Sequence, residues 1–196
     1  MLKDLLIDHE IILASGSPRR QKFFEELEIP VTIAVRPVEE VYPENLKEEE
    51  ITDYLAALKA EAFKNDLKQN QILITSDTIV YNNETALGKP ADHEEAVQMI
   101  SSLSGKEHDV ITSVCFTSTS SRKILNHKTR VFFSELSQDE IEYYVSNYKP
   151  FDKAGGYAIQ EWIGLIGIEK IEGSYFNVVG LPTYEVYKTL KEMLKV

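Results

Sequence analysis

Leu13-Ala14-Ser15-Gly16-Ser17-Pro18-Arg19-Arg20-Gln21 follows directly on the apolar pair Ile11-Ile12. The stretch reads as a strand over 11–14 that breaks into a small polar loop and restarts as a helix at a proline. Ser17 can cap that helix, and Pro18 at the first helical position gives up an N–H that no intrahelical carbonyl would take. Such a loop gathers backbone N–H groups, the hydroxyls of Ser15 and Ser17 and the guanidiniums of Arg19 and Arg20 on one side. That combination is a receptor for an anion, and in particular for a polyphosphate. Gly16 keeps the approach open. The structural alternative is an ordinary capped helix with both arginines in solvent.

Outward from this seam, a helix is predicted from Pro18 to about Glu28, with Phe23, Phe24 and Leu27 on one face, then a strand near 31–36. Ile51, Tyr54, Leu55, Leu58 and Ala62 recur at helical spacing and predict a helix over 48–66. A buried strand starts at 72–75, and 79–81 with 85–87 form a hairpin about Asn82-Asn83, residues that tolerate the left-handed conformations of a tight turn. A helix over 92–103 ends at Gly105, and long strands over 108–118 and 124–134 flank the Ser/Thr-rich turn 117–122. A helix over 138–147, a strand over 163–171 and a last helix over 183–195 complete the chain. Interspersed strands and helices with antiparallel ribbons in the middle predict a mixed α/β (α+β) fold, a twisted mixed sheet flanked by helices.

The 196 residues suit one domain, 1–196, with a sizeable core, and 43% hydrophobic against 27% charged residues describes a globular chain. No apolar run approaches the roughly 20 residues that span a bilayer. The acidic start Met-Leu-Lys-Asp-Leu-Leu-Ile-Asp has no signal-peptide pattern, which predicts a cytoplasmic protein with no membrane partner. A net charge of −11 argues against nucleic acid as a partner and requires any small anion to find a local basic pocket. Cys115 has no cysteine to pair with and reads as a packing residue. The four histidines are scattered and read as superficial.

Thr75-Ser76-Asp77-Thr78 breaks an otherwise apolar run from Ile72 to Tyr81. A carboxylate is a poor strand residue and costly to bury alone, so Asp77 marks either a functional site or a turn between two strands. A hairpin centred on Asn82-Asn83 would set Lys89 opposite Ser76 or Asp77, where an ammonium could keep the carboxylate ionised and bind phosphate oxygen. Lys59 flanks the apolar seam of its helix, and Glu39 and Glu40 follow a strand, in a place suited to a metal-binding carboxylate. In 152–160, Gly155-Gly156 would let backbone approach a ligand, with Tyr157 and Gln160 able to recognise a planar base. Each of these has a bland alternative: a solvated lysine, solvated acids, a simple turn before a strand.

Together these motifs resemble the Maf family of nucleoside triphosphate pyrophosphatases. The matching pieces are LASGSPRR at 13–20, VEE at 38–40, Lys59 in LKAEA, SDTIV at 76–80, LGKP at 87–90, DKAGGYAIQ at 152–160 and GSYFNVVGLP at 173–182. The resemblance implies an inosine-triphosphatase-like α/β fold of two lobes with the active site in a central cleft. It implies hydrolysis between the α and β phosphates of a nucleoside triphosphate, in a house-cleaning role. A divalent cation, Mg²⁺ or Mn²⁺, would be held by Glu40 and Asp77, and homodimers are frequent in the family. On the resemblance Asp77 is the proton acceptor, Ser15, Arg20, Glu40, Lys59 and Lys89 are active-site positions, and Arg19, Thr78 and Gln160 govern base choice. The Arg19-Arg20 pair, Asp77-Thr78 and DKAGGYAIQ resemble the dTTP/UTP branch rather than the 7-methyl-GTP branch, which tends to carry Trp at position 19. Glu161-Trp162 departs from relatives that have Gly after the Gln. The mechanism expected is that Arg19, Arg20, Lys59 and Lys89 neutralise the triphosphate, the 15–17 loop fixes it and Asp77 activates water. The rivals are a nucleotide-binding regulator of cell division with little turnover, and a purine or modified-nucleotide pyrophosphatase.

Overall fold

The structure is a computed structural model and describes residues 2–194. In chain order the elements are α1 Leu2–Leu5, β1 Glu10–Leu13, α2 Pro18–Glu26, β2 Val31–Ile33, α3 Glu49–Glu61, β3 Gln71–Asn82, β4 Thr85–Leu87 and α4 His93–Leu103. They continue with β5 Glu107–Thr117, β6 Arg122–Phe133, α5 Gln138–Tyr148, α6 Trp162–Gly167, β7 Ile168–Glu172, α7 Tyr175–Val179 and α8 Thr183–Met193. Position 195, the end of the last predicted helix, lies outside the described residues. The strands order as β2-β1-β3-β5-β6-β7, with β4 also paired to β3. β1 runs parallel to both neighbours, in register Ile11↔Val31 and Ile11↔Ile72, while the β3/β4 and β6/β7 pairs are antiparallel. This is the mixed α/β sheet that the patterning predicts. Among the described residues no helix is long and apolar enough to cross a membrane.

The chain packs into two compact units. One comprises the residues up to Asp77, Thr112–His127 and those from Gly180 onward; the other is Thr78–Ile111 with Lys128–Val179. In the first unit, α3 lays Ala56 and Ala60 against Ile12, Leu73 and Cys115. Alternation along a strand then sends Ile72 and Ile74 to the opposite face. Cys115 is the buried packing residue expected, and burial raises its thiol pKa. In the second unit, Val80, Ile100, Leu103, Val131, Phe133, Tyr144 and Tyr157 form the core.

Three expectations are corrected. β3 is one continuous strand from 71 to 82, so Asp77 sits in mid-strand rather than at a turn. The hairpin pairs Asn82 with Thr85, which moves the turn one residue on to Asn83 and Glu84, both with positive φ (48° and 60°) as a type I′ turn requires. Asn82 is retained in the strand because its amide donates to the Ser102 carbonyl at 3.4 Å. The predicted strand 163–171 opens instead as helix α6 and becomes β7 only at Ile168. Gly164 permits this: a Cβ there would lie 1.8 Å from the Ile159 carbonyl oxygen, while its N–H donates to the Glu161 carbonyl at 2.9 Å.

His108 is the fourth departure, because it is buried rather than superficial. Its ring stands edge-on to Phe133 and Tyr157, and Nε2 lies 2.7 Å from the Tyr157 hydroxyl. Burial pushes its pKa down from 6.5 to about 4. Well above pH 6.5 the residue is neutral in folded and unfolded chains alike and adds no pH dependence. Between pH 6.5 and 4 the unfolded chain takes up a proton that the folded chain refuses, so stability falls by about 1.4 kcal/mol per pH unit. Urea unfolding across that window should therefore show a shallower loss in His108→Gln than in the wild-type chain, with the two curves parallel above pH 6.5.

Candidate active site

At the end of β1 the ladder continues for one residue on both sides. The Leu13 carbonyl accepts from Ala34 N–H at 3.1 Å and Ala14 N–H donates to the Ile74 carbonyl at 2.9 Å. The chain then leaves the sheet through the 15–17 loop. Ser15 is buried; its carbonyl accepts from the Gln21 amide at 3.0 Å and its hydroxyl from Ser17 N–H at 3.3 Å. Ser17 caps α2 by accepting from Arg20 N–H at 3.5 Å, with Pro18 in the first turn as expected. The loop is thus tied at both ends to the helix it precedes.

Arg20 turns back toward the sheet instead of into solvent. Its Nε donates to the Gly180 carbonyl at 2.9 Å and its Nη1 to the Ser76 carbonyl at 3.1 Å. Ile74 and Ser76 present their carbonyls on the same edge of β3, so Arg20 takes the ladder position that β1 vacates. Burial pulls the guanidinium pKa down, as does neighbouring Arg19, while the charges of Asp77 and Glu40 push it up. Asp77 and Glu40 are therefore electrostatic neighbours of this arginine.

Lys59 joins the two carboxylates. Its ammonium lies 2.6 Å from Asp77 Oδ1 and 2.9 Å from Glu40 Oε1. Asp77 is buried, Lys59 is mostly so and Glu40 is half-exposed. The backbone explains the meeting. Thr75 donates its hydroxyl to the Ala56 carbonyl at 2.7 Å, pinning α3 over β3. Asp77 is two residues further along the same face of the strand and Lys59 three residues along the same side of the helix. An ammonium at hydrogen-bond distance from two carboxylates gives charge-assisted bonds, which offset the cost of a charge in mid-strand. The cation that serves Asp77 is thus Lys59. The β3/β4 ladder ends at Val80↔Leu87, and its register sets neither Ser76 nor Asp77 opposite Lys89.

The second unit carries the remaining predicted residues. Thr78 follows Asp77 on β3 and is half-buried; Lys89 and Gln160 are exposed. The loops bearing Lys89 and Gln160 are tied together, since Gly155 N–H donates to the Gly88 carbonyl at 2.9 Å. Packing requires the first glycine of the pair: Gly155 has φ 68° and a Cβ there would lie 2.7 Å from Val80 Cγ2. Tyr157 is likewise a core residue on His108, not a base-recognising ring at the surface.

One group was not foreseen. The Tyr144 hydroxyl accepts from Ala158 N–H at 3.1 Å and donates to Glu161 Oε2 at 2.5 Å, while Lys153 lies 3.4 Å from Glu161 Oε1. Glu161, a departure noted in the sequence, is thereby locked beside Gln160 at the start of α6. Trp162 packs on the Tyr143 ring at 4.8 Å. The departure at 161–162 is the only trace of this arrangement in the chain's linear order.

Fold and site together define a mixed α/β protein in which the Ser15–Ser17 loop and Arg20 adjoin a lysine-bridged pair of carboxylates. The chain belongs to the Maf-like protein family, whose model matches residues 10–193. It is 78% identical over 194 residues, 99% of each chain, to a dTTP/UTP pyrophosphatase of Christiangramia forsetii. It is 54% identical to a dTTP/UTP pyrophosphatase of Flavobacterium johnsoniae, over 99% of this chain and 100% of that one. The fold resembles that of the Staphylococcus aureus Ham1 protein, with a TM-score of 0.53 at 15% identity over 94% of this chain and 99% of the other.

Removing Lys59 leaves Asp77 buried without its nearest cation. Lys59→Met should lower stability by about 2 kcal/mol or more. Asp77→Asn in the same chain should restore part of that loss, and a double-mutant cycle by urea unfolding should give a coupling of roughly 1–3 kcal/mol.

Proposed function

We propose that the chain is a nucleoside triphosphate pyrophosphatase that hydrolyses dTTP and UTP to the monophosphate and pyrophosphate. The observation that carries the reading is the Lys59 ammonium shared by Asp77 and Glu40, next to Arg20 and the Ser15–Ser17 loop. The names of relatives at 78% and 54% identity over nearly full length support the substrates.

In the mechanism, the triphosphate lies at the 15–17 loop, and Arg19, Arg20, Lys59 and Lys89 offset its charge. Asp77 accepts a proton from a water whose oxygen attacks the α-phosphorus. The α–β anhydride bond breaks and pyrophosphate departs with the bridging oxygen. Lys59 orients the carboxylate so that its second oxygen meets the water, a proton acceptor held at a fixed place on a rigid strand. Arg20, braced by the Gly180 and Ser76 carbonyls, keeps the loop and β3 at one spacing as charge shifts toward the leaving group.

Among the described residues no three His, Cys, Asp or Glu side chains form a cage for a metal. The donor set nevertheless fits Mg²⁺ or Mn²⁺: two hard carboxylates, Glu40 and Asp77, converge on one cationic group, and such ions take one or two carboxylates together with phosphate oxygens and water. Those two residues would hold the ion, which when bound neutralises phosphate charge. On the same reading Arg19, Thr78 and Gln160 select the pyrimidine base, and the whole chain is one catalytic domain acting in the cytoplasm.

The test is a nucleotide panel of dTTP, UTP, CTP, GTP and 7-methyl-GTP with Mg²⁺ or Mn²⁺, with pyrophosphate and orthophosphate scored separately. Pyrophosphate from dTTP and UTP above the others is the expected result. Orthophosphate as the first product, or preference for a purine, would overturn the bond or the base.

A further inference from the structure

We infer that Ser76 is a phosphate-binding residue, its hydroxyl donating to an oxygen of the anion received at the 15–17 loop. The inference deepens the proposed nucleotide site and rests on it for the identity of the natural ligand. Ser76 is 2% exposed, and its Oγ has no hydrogen-bond partner. By contrast the hydroxyls of Thr75, Ser15 and Ser17 have partners: Thr75 donates to the Ala56 carbonyl, Ser15 accepts from Ser17 N–H and Ser17 from Arg20 N–H. A buried hydroxyl without a partner lowers stability, and a methyl group would fit the same space without that cost. Serine here is accounted for when a ligand supplies the missing partner.

The pleat of β3 aims the side chain. Thr75 and Asp77 face α3, so Ser76 points to the opposite face, the one shared by Ile74. The register Ile11↔Ile72, Leu13↔Ile74 carries that face along β1, which two residues later becomes the Ser15–Ser17 loop. The backbone of Ser76 is held against this loop's helix by Arg20, which donates to its carbonyl at 3.1 Å. The side chains of Ser76 and Asp77 thus leave β3 on opposite faces, next to the end of β1 where the 15–17 loop begins. A phosphate oxygen at the receptor completes the bonding of Ser76, and a serine O–H to an anionic oxygen is a strong, charge-assisted bond.

The experiment compares the wild-type chain with Ser76→Ala by calorimetric titration with inorganic pyrophosphate, thermal unfolding without ligand and dTTP kinetics. Pyrophosphate binding should weaken about tenfold and KM for dTTP should rise by a similar factor, with kcat within about twofold. The unliganded Tm should be unchanged or higher, since an unpaired hydroxyl is removed. Unchanged pyrophosphate affinity would overturn the inference, as would a lower Tm with KM unaltered. A loss confined to kcat would also overturn it, by moving Ser76 from phosphate to the reacting water. If the wild-type chain binds pyrophosphate but does not turn over dTTP, the proposed function fails while the pyrophosphate arm still decides on Ser76.

Discussion

A carboxylate in the middle of a buried strand needs a cation, and the Lys59 ammonium set between Asp77 and Glu40 meets that need. Much of the first unit can be understood from this constraint. For Lys59 to reach Asp77, α3 must cross β3 at a fixed place, and the Thr75 hydroxyl on the Ala56 carbonyl fixes it. The small residues Ala56 and Ala60 let the helix approach closely enough. Glu40 approaches from the loop after β2, half-exposed, and shares the same ammonium. The result is a charged group on a strand and a helix rather than on mobile loops, the arrangement that holds reacting atoms most closely.

The opposite face of β3 follows a second constraint, the early end of β1. Where β1 stops pairing, the Ser76 carbonyl would lose its partner, and a buried carbonyl without one is unfavourable. Arg20 supplies the bond and in doing so holds a positive charge beside the 15–17 loop. One side chain therefore serves backbone satisfaction and the anchoring of α2 to β3, and on the proposed function the electrostatics of phosphate binding. An acidic chain of net charge −11 thus keeps a local positive charge at this place.

The readings that survive are those in which chemistry and local geometry coincide. Ser17-Pro18 is a helix start by its own properties, and Asp77 stands out because an acid is so unfavourable in an apolar run. The partner of Asp77 was less legible, since Lys59 is distant in sequence and only the packing of α3 on β3 brings it near. A hairpin centred on Asn82-Asn83 sets Lys89 opposite Ser76 or Asp77, whereas the turn lies at Asn83-Glu84, and one residue in a strand changes which face a side chain occupies. The turn uses Glu84 in a left-handed conformation, which its residue type does not advertise. Tyr157 and Gly155 look polar and open in sequence, yet His108 and Val80 claim them for the core. The 163–171 segment is apolar enough for strand or helix. Gly164, lying against the Ile159 carbonyl, decides for the helix by a steric fact that composition does not reveal.

On the proposed function Asp77, held by Lys59, acts on the attacking water. The most direct measurement is single-turnover hydrolysis of dTTP by Asp77→Asn, with dTTP affinity measured on the same preparation. The expected result is a rate reduced by about 10²–10⁴ with dTTP still bound. Turnover near the wild-type rate would contradict it.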